Sequence, residues 1–161
     1  MTVNNFGQVS APVARVYRGA QPTDAQFKEL KDIGITTVLD LREDIGRGEE
    51  AAVCSALGLH HVNIPIGNQH LPVIGLLGVL PPTKDQALQC LRYLEDPDTI
   101  CFVHCRHGED RTGAVIAMYR MLVDKWTNVE AMAEAKQYHL NPLQILIREY
   151  IEDFKPSDLK Q

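Results

Sequence analysis

The stretch that most restricts the fold runs from Thr99 to Val123. Thr99 to His104 is a short, largely apolar run that reads as a buried strand. It leads into a polar loop, Cys105-Arg106-His107-Gly108-Glu109-Asp110-Arg111, and Thr112 then opens a helical pattern reaching about Val123. A strand turning directly into a helix is a βα unit, and such units in series build a mostly parallel sheet covered by helices. Ligands of these sheets bind beyond the carboxyl ends of the strands, which is where this loop falls.

The rest of the chain reads the same way. Arg15 to Tyr17 is a strand candidate, and Thr23-Asp24-Ala25-Gln26 is a capping box. It opens a helix with an apolar face through Phe27, Leu30 and Ile33, ended by Gly34. Thr36 to Leu41 reads as a buried strand, Arg47 to Leu57 as a helix closed by Gly58, and His61 to Ile64 as the next strand. A second capping box, Thr83-Lys84-Asp85-Gln86, opens a helix to about Leu94. Two more helices follow, one from Thr127 or Asn128 and one capped by Asn141 with Pro142 in its first turn. The expected class is α/β: a central, mostly parallel sheet of four to five strands flanked by helices. The whole chain, 1–161, fits one domain, with 1–14 as an N-terminal extension and 155–161 as a C-terminal tail. Residues 65–82 read as a long irregular loop, uncommon unless functional.

Composition narrows the function. With 45% hydrophobic residues the chain can build a core without a disulfide or metal staple. Its net charge of -5 speaks against a nucleic-acid partner. The longest apolar stretch, Leu71 to Pro82, is broken by prolines and glycines and is too short to span a bilayer. Met1 to Phe6 lacks the charged and apolar regions of a secretory signal. A reducing cytoplasm is the expected setting for the four cysteines, Cys54, Cys90, Cys101 and Cys105. Cys101 reads as a small buried hydrophobe, with a protective disulfide from Cys101 or Cys54 to Cys105 as the alternative.

The chemistry concentrates at Cys105. A loop between strand and helix can curl its N–H groups inward into an anion nest, and the helix N-terminus adds its positive end. Gly108 supplies a backbone conformation costly to other residues. Arg111 can grip two phosphate oxygens with its planar fork. The same field favours a thiolate at Cys105, able to attack phosphorus and form a phosphocysteine intermediate. Thr112 is placed to hydrogen-bond the sulfur, and Gly113 to let the helix pack close to the sheet. His104 is expected to hold the loop rather than move protons, while Arg106 and His107 face the pocket rim. Asp40 and Arg42 read as an ion pair that fixes loops, with Arg18 joining their network. His60 and His61 point to opposite faces of a strand, and no ligand spacing supports a metal; no cofactor is called for.

The run His104-Cys105-x-x-Gly108-x-x-Arg111-Thr112-Gly113 resembles the signature of the protein tyrosine and dual-specificity phosphatase superfamily. Val16-Tyr17-Arg18-Gly19-Ala20-Gln21-Pro22 and Gly34-Ile35-Thr36-Thr37-Val38-Leu39-Asp40-Leu41-Arg42 extend the similarity to its atypical dual-specificity-like branch of bacteria, plants and fungi. The resemblance implies the cysteine-phosphatase fold, a phosphate loop (P-loop) from Arg106 to Arg111, and metal-free phosphomonoester hydrolysis. The substrate would be a phosphorylated protein or a small phosphorylated metabolite, inositol phosphates included. Such phosphatases usually take their general acid from a separate loop, which here corresponds to Pro65 to Thr83 and holds no Asp or Glu. The candidates left are Asp110, favoured for its place beside Arg111, then Asp85 and Glu109. A weakly active or inactive phosphate-binding module on the same fold is the alternative function.

Overall fold

The computed structural model describes residues 1–9, 15–43, 47–67 and 78–159. Among these, one five-stranded sheet is built from β1 (Gly7–Gln8), β2 (Val16–Gly19), β3 (Thr37–Asp40), β4 (His60–Asn63) and β5 (Cys101–His104), in the order β1-β2-β5-β3-β4. β1 runs antiparallel to β2, and every other pairing is parallel. The helices are α1 (Asp24–Asp32), α2 (Arg47–Ala56), α3 (Lys84–Leu94), α4 (Asp110–Leu122), α5 (Asn128–Gln137) and α6 (Ile145–Asp153). This is the expected α/β architecture, and the residues set apart as an N-terminal extension supply its edge strand.

Alternation along the strands sorts the core into two layers. Val38 and Phe102 pack with Phe27, Leu30, Cys54 and Leu59 beside α1 and α2. Leu39, Cys101 and Val103 pack with Ala114, Val115 and Met118 of α4 and with Ile147 and Ile151 of α6. The central helix α4 is buried from Arg111 through Tyr119, so it is held by packing on all sides rather than by one apolar stripe.

Register places the site. Gly19 of β2, Asp40 of β3 and His104 of β5 lie side by side at the carboxyl ends of their strands. The chain segments leaving those three strands therefore emerge together at one edge, with Cys105 in the middle.

Local signals were mostly obeyed. Thr23, Thr83 and Thr127 each cap a helix through a complete capping box, and Gly34 and Gly58 take positive φ after α1 and α2. Three expectations need correction. Ile33 is 45% exposed at the end of α1, because Ile35 beyond the turn fills the core position instead. The last helix starts at Ile145 with Gln144 before it; Asn141 instead accepts the Leu143 N–H in a tight turn. Gly113 faces Ala135 of α5, where an added Cβ would make ordinary contact at 3.9 Å, so close packing on the sheet does not require it. Of the long irregular loop, residues 68–77 lie outside the described residues, as does most of the apolar stretch from Leu71.

Thr83 joins two chain reversals, since Gln86 closes its capping box and also donates to the Pro65 carbonyl at 2.6 Å. Thr83→Ala is expected to lower stability by about 1 kcal/mol, read as a shift of the urea midpoint with an unchanged slope.

Candidate active site

The loop after β5 is defined by where its carbonyls go. The His104 carbonyl accepts from the Leu41 N–H at 2.9 Å. The Cys105 carbonyl lies 3.2 Å from His104 Nδ1. Gln21 N–H donates to the Arg106 carbonyl at 3.2 Å. Asn5 Nδ2 reaches the carbonyls of His107 at 3.4 Å and Gly108 at 3.0 Å, and Arg18 Nη2 donates to Gly108 at 2.9 Å. In a planar trans peptide the C=O and the following N–H point in opposite directions. Holding the carbonyls of residues 105 to 108 outward therefore turns the N–H groups of residues 106 to 109 toward the loop's concave side. Together with the N-terminal end of α4, these amides form a set of donors of the kind that can receive an anion.

Gly108 is required twice over. Its φ is +71°, and a Cβ there would sit 2.4 Å from the Gly19 carbonyl. The loop thus lies backbone to backbone against the turn after β2, an approach that a side chain would block.

Cys105 is buried at the foot of this cup, in the core cluster around α4. Arg111 is also buried, and its Nε has no hydrogen-bond partner among the described residues. Its guanidinium passes Gly67, where an added Cβ would lie 3.5 Å from Nε. The Thr112 hydroxyl is fully buried and likewise without a partner. Arg106 and His107 expose their side chains while their backbones form the cup.

Behind the cup lies a buried charged network. Arg42 holds Asp40 through two parallel bonds of 2.8 and 2.9 Å and also bonds Glu50. Glu50 Oε1 lies 2.9 Å from His104 Nε2 and 3.2 Å from His61 Nε2. His104 therefore bridges Glu50 to the Cys105 carbonyl. Burial alone would raise the Glu50 carboxyl, but the bonds from His104 and His61 and the charge of Arg42 bring it down to about 2. Asp40, Glu50 and His61 present ligand atoms within 4.8 Å of one another. Arg42 bonds both carboxylates, however, so both acids are already engaged by a cation.

The acid candidates separate by position. Asp110 opens α4, and its Oδ1 accepts the Asn141 N–H at 2.9 Å. Burial pushes its carboxyl above the usual range, with Glu109 adding to this and the Asn141 amide, Arg111 and His107 opposing it. Glu109 stands at the N-cap of α4 but makes no side-chain cap. Asp85 is exposed on the first turn of α3.

Arg18 does not join the Asp40–Arg42 pair, because β5 separates β2 from β3; it turns to Gly108 instead. Cys54, Cys90 and Cys101 are buried free thiols. Burial raises Cys54 and Cys90 to about 12 and Cys101 further still. Cys101 thus packs as a small hydrophobe, and neither it nor Cys54 is bonded to Cys105. Sequence reasoning missed Asn5, Gln21 and Glu50. Glu50 alone left a signal: it shares a helical face with Val53, Cys54 and Leu57, an apolar stripe on which a carboxylate needs a buried partner.

A family model described as a DSP-PTPase phosphatase fused to NAD+ kinase matches residues 3–151. The dual specificity protein phosphatase TpbA of Pseudomonas aeruginosa is 27% identical over 122 residues, 76% of this chain and 50% of that protein. The chain thus spans about half the length of this curated relative. The Siw14 catalytic core superposes with a TM-score of 0.81 at 18% identity, covering 99% of this chain and 90% of that one. The P. aeruginosa TpbA structure gives 0.75 at 20% identity, covering 98% and 89%.

Glu50 carries a pH signature. Its folded value of about 2 lies below the ordinary 4.5, so its stabilisation is complete above about pH 4.5 and is lost as pH falls toward 2. Glu50→Gln should cost on the order of 3 kcal/mol at neutral pH and flatten the acid limb of the stability curve. Urea titrations at stepped pH measure both.

Proposed function

The chain belongs to the dual-specificity-type phosphatase family whose model spans residues 3–151, and from that premise we propose that it hydrolyses phosphomonoesters through Cys105. The observation that carries this reading is the set of four carbonyls, residues 105 to 108, tied outward beside a buried cysteine and a buried Arg111 whose Nε has no partner among the described residues. A phosphate dianion seated in the cup meets the loop amides and the Arg111 fork. The Cys105 thiolate attacks phosphorus, the phosphorus–oxygen bond of the ester breaks, and the leaving oxygen takes a proton. Water then attacks the phosphocysteine, releasing phosphate and restoring the thiolate. The unpartnered Thr112 hydroxyl donates to the departing sulfur in this second step.

Asp110 is the proton donor in this reading. A general acid works only while protonated, and burial raises this carboxyl, which extends its working range upward in pH. Asn141 engages one of its oxygens and leaves the other for the leaving group. With four free thiols and no described helix able to cross a membrane, a reducing cytoplasm suits the chemistry. One neighbour's structure was determined with phosphotyrosine and another is described as a PP-IP phosphatase. The substrate class we propose is accordingly a phosphorylated protein or a small, highly phosphorylated metabolite, read through the exposed Arg106 and His107 at the rim.

Release of phosphate from an aryl phosphate tests the nucleophile: Cys105→Ser should fall to background while still binding phosphate. Phosphate binding by wild type with no turnover would instead mark a binding module. For the acid, Asp110→Asn should lower kcat on alkyl phosphates by about 10² or more and remove the fall of kcat as pH rises. An unchanged pH profile in that variant would remove Asp110 from the mechanism.

A further inference from the structure

Arg18 is a buried charge that the mechanism above leaves unused. It is 1% exposed, and its Nε and Nη1 are buried with no hydrogen-bond partner among the described residues. Its guanidinium carbon lies over the Tyr138 ring, 3.9 Å from the centroid. The titratable groups facing it are Glu134, Tyr138, Cys105 and Arg120. Glu134 is already engaged by Arg120 through Nε and Nη2. A cation in this setting is costly to bury, and the ring face offsets only part of that cost. Burial accordingly drags the guanidinium down to about 10.

The one directed bond that Arg18 makes among the described residues explains its location. Nη2 donates to the Gly108 carbonyl, whose peptide carries the Glu109 N–H on its opposite side, toward the cup. A cation pulling on a carbonyl polarises that peptide and strengthens the donor at its other end. We propose that Arg18 is a positioning residue for the bound oxyanion: it orients and polarises the 108–109 peptide, and its uncompensated charge is balanced when the anion occupies the cup. This rests on the phosphatase reading of Cys105 and adds a second guanidinium, on β2, behind the first on α4. Since coupling between two sites is reciprocal, anion binding should also stabilise the fold through Arg18.

The test uses inorganic phosphate as probe on wild type, Arg18→Lys and Arg18→Met, each checked for folding by near-ultraviolet circular dichroism. Phosphate affinity is measured by calorimetry, and phosphate protection of Cys105 against iodoacetamide locates the site. Arg18→Met should bind phosphate at least about tenfold more weakly than wild type, and phosphate should raise its Tm less. Arg18→Lys, which keeps the charge without the planar fork, should fall between the two. A folded Arg18→Met that binds within twofold of wild type, or an Arg18→Lys no better than Arg18→Met, overturns the proposal. Should Arg18→Met fail to fold, Arg18→Lys against wild type decides: a several-fold loss of phosphate affinity supports the proposal and equal affinity overturns it. Wild type that gives Cys105 no phosphate protection would overturn the phosphatase reading as well, whereas equal protection in wild type and Arg18→Met overturns only the role of Arg18.

Discussion

The site depends on a constraint that concerns carbonyls before it concerns phosphate. A loop of amides can face an anion only if the oxygens of the same peptides are satisfied elsewhere, since an unpaired buried carbonyl is expensive. Here the donors come from different parts of the chain: Asn5 near the N-terminus, Arg18 and Gln21 around the turn after β2, and His104 at the end of β5. The parallel sheet brings them together by aligning Gly19, Asp40 and His104 in one row. Read this way, the fold supplies the outer wall of the cup, and the signature residues supply its contents.

Electrostatics follows the same division. Two buried guanidiniums, Arg18 and Arg111, carry nitrogens with no hydrogen-bond partner among the described residues, while Arg42 bonds both Asp40 and Glu50, and His104 and His61 contact Glu50 behind the loop. The chain is acidic overall, with a net charge of -5, yet it buries two guanidiniums, Arg18 and Arg111. Such an arrangement concentrates field where an anion binds without making the whole molecule basic.

Much of this was legible beforehand because it is local. Capping boxes at Thr23 and Thr83, the strand into Cys105 and the glycine turns after α1 and α2 are decided by neighbours in sequence, and the structure keeps them. So is the loop itself, whose Gly108 and Arg111 sit at fixed offsets from Cys105. The illegible part is long-range. Nothing in the sequence near Asn5 announces that its amide meets Gly108 and the Tyr138 carbonyl. Arg18 was assigned to the wrong neighbour because strand order, not chain order, decides what it faces. Asn141 looked like a helix cap, but its side chain closes a turn and its N–H holds Asp110. These are choices between local and tertiary hydrogen bonds, and tertiary packing settled them.

The Asn5 amide bonds partners 103 and 133 residues away in sequence. During synthesis on the ribosome the outer brace of the cup therefore stays incomplete until α5 has emerged, although the nucleophile itself is translated earlier. Contacts of such separation form late, because the loop-closure entropy must be met first. A nascent or truncated chain would carry Cys105 without its complete amide cradle, so competence at this site is tied to emergence of the chain through α5.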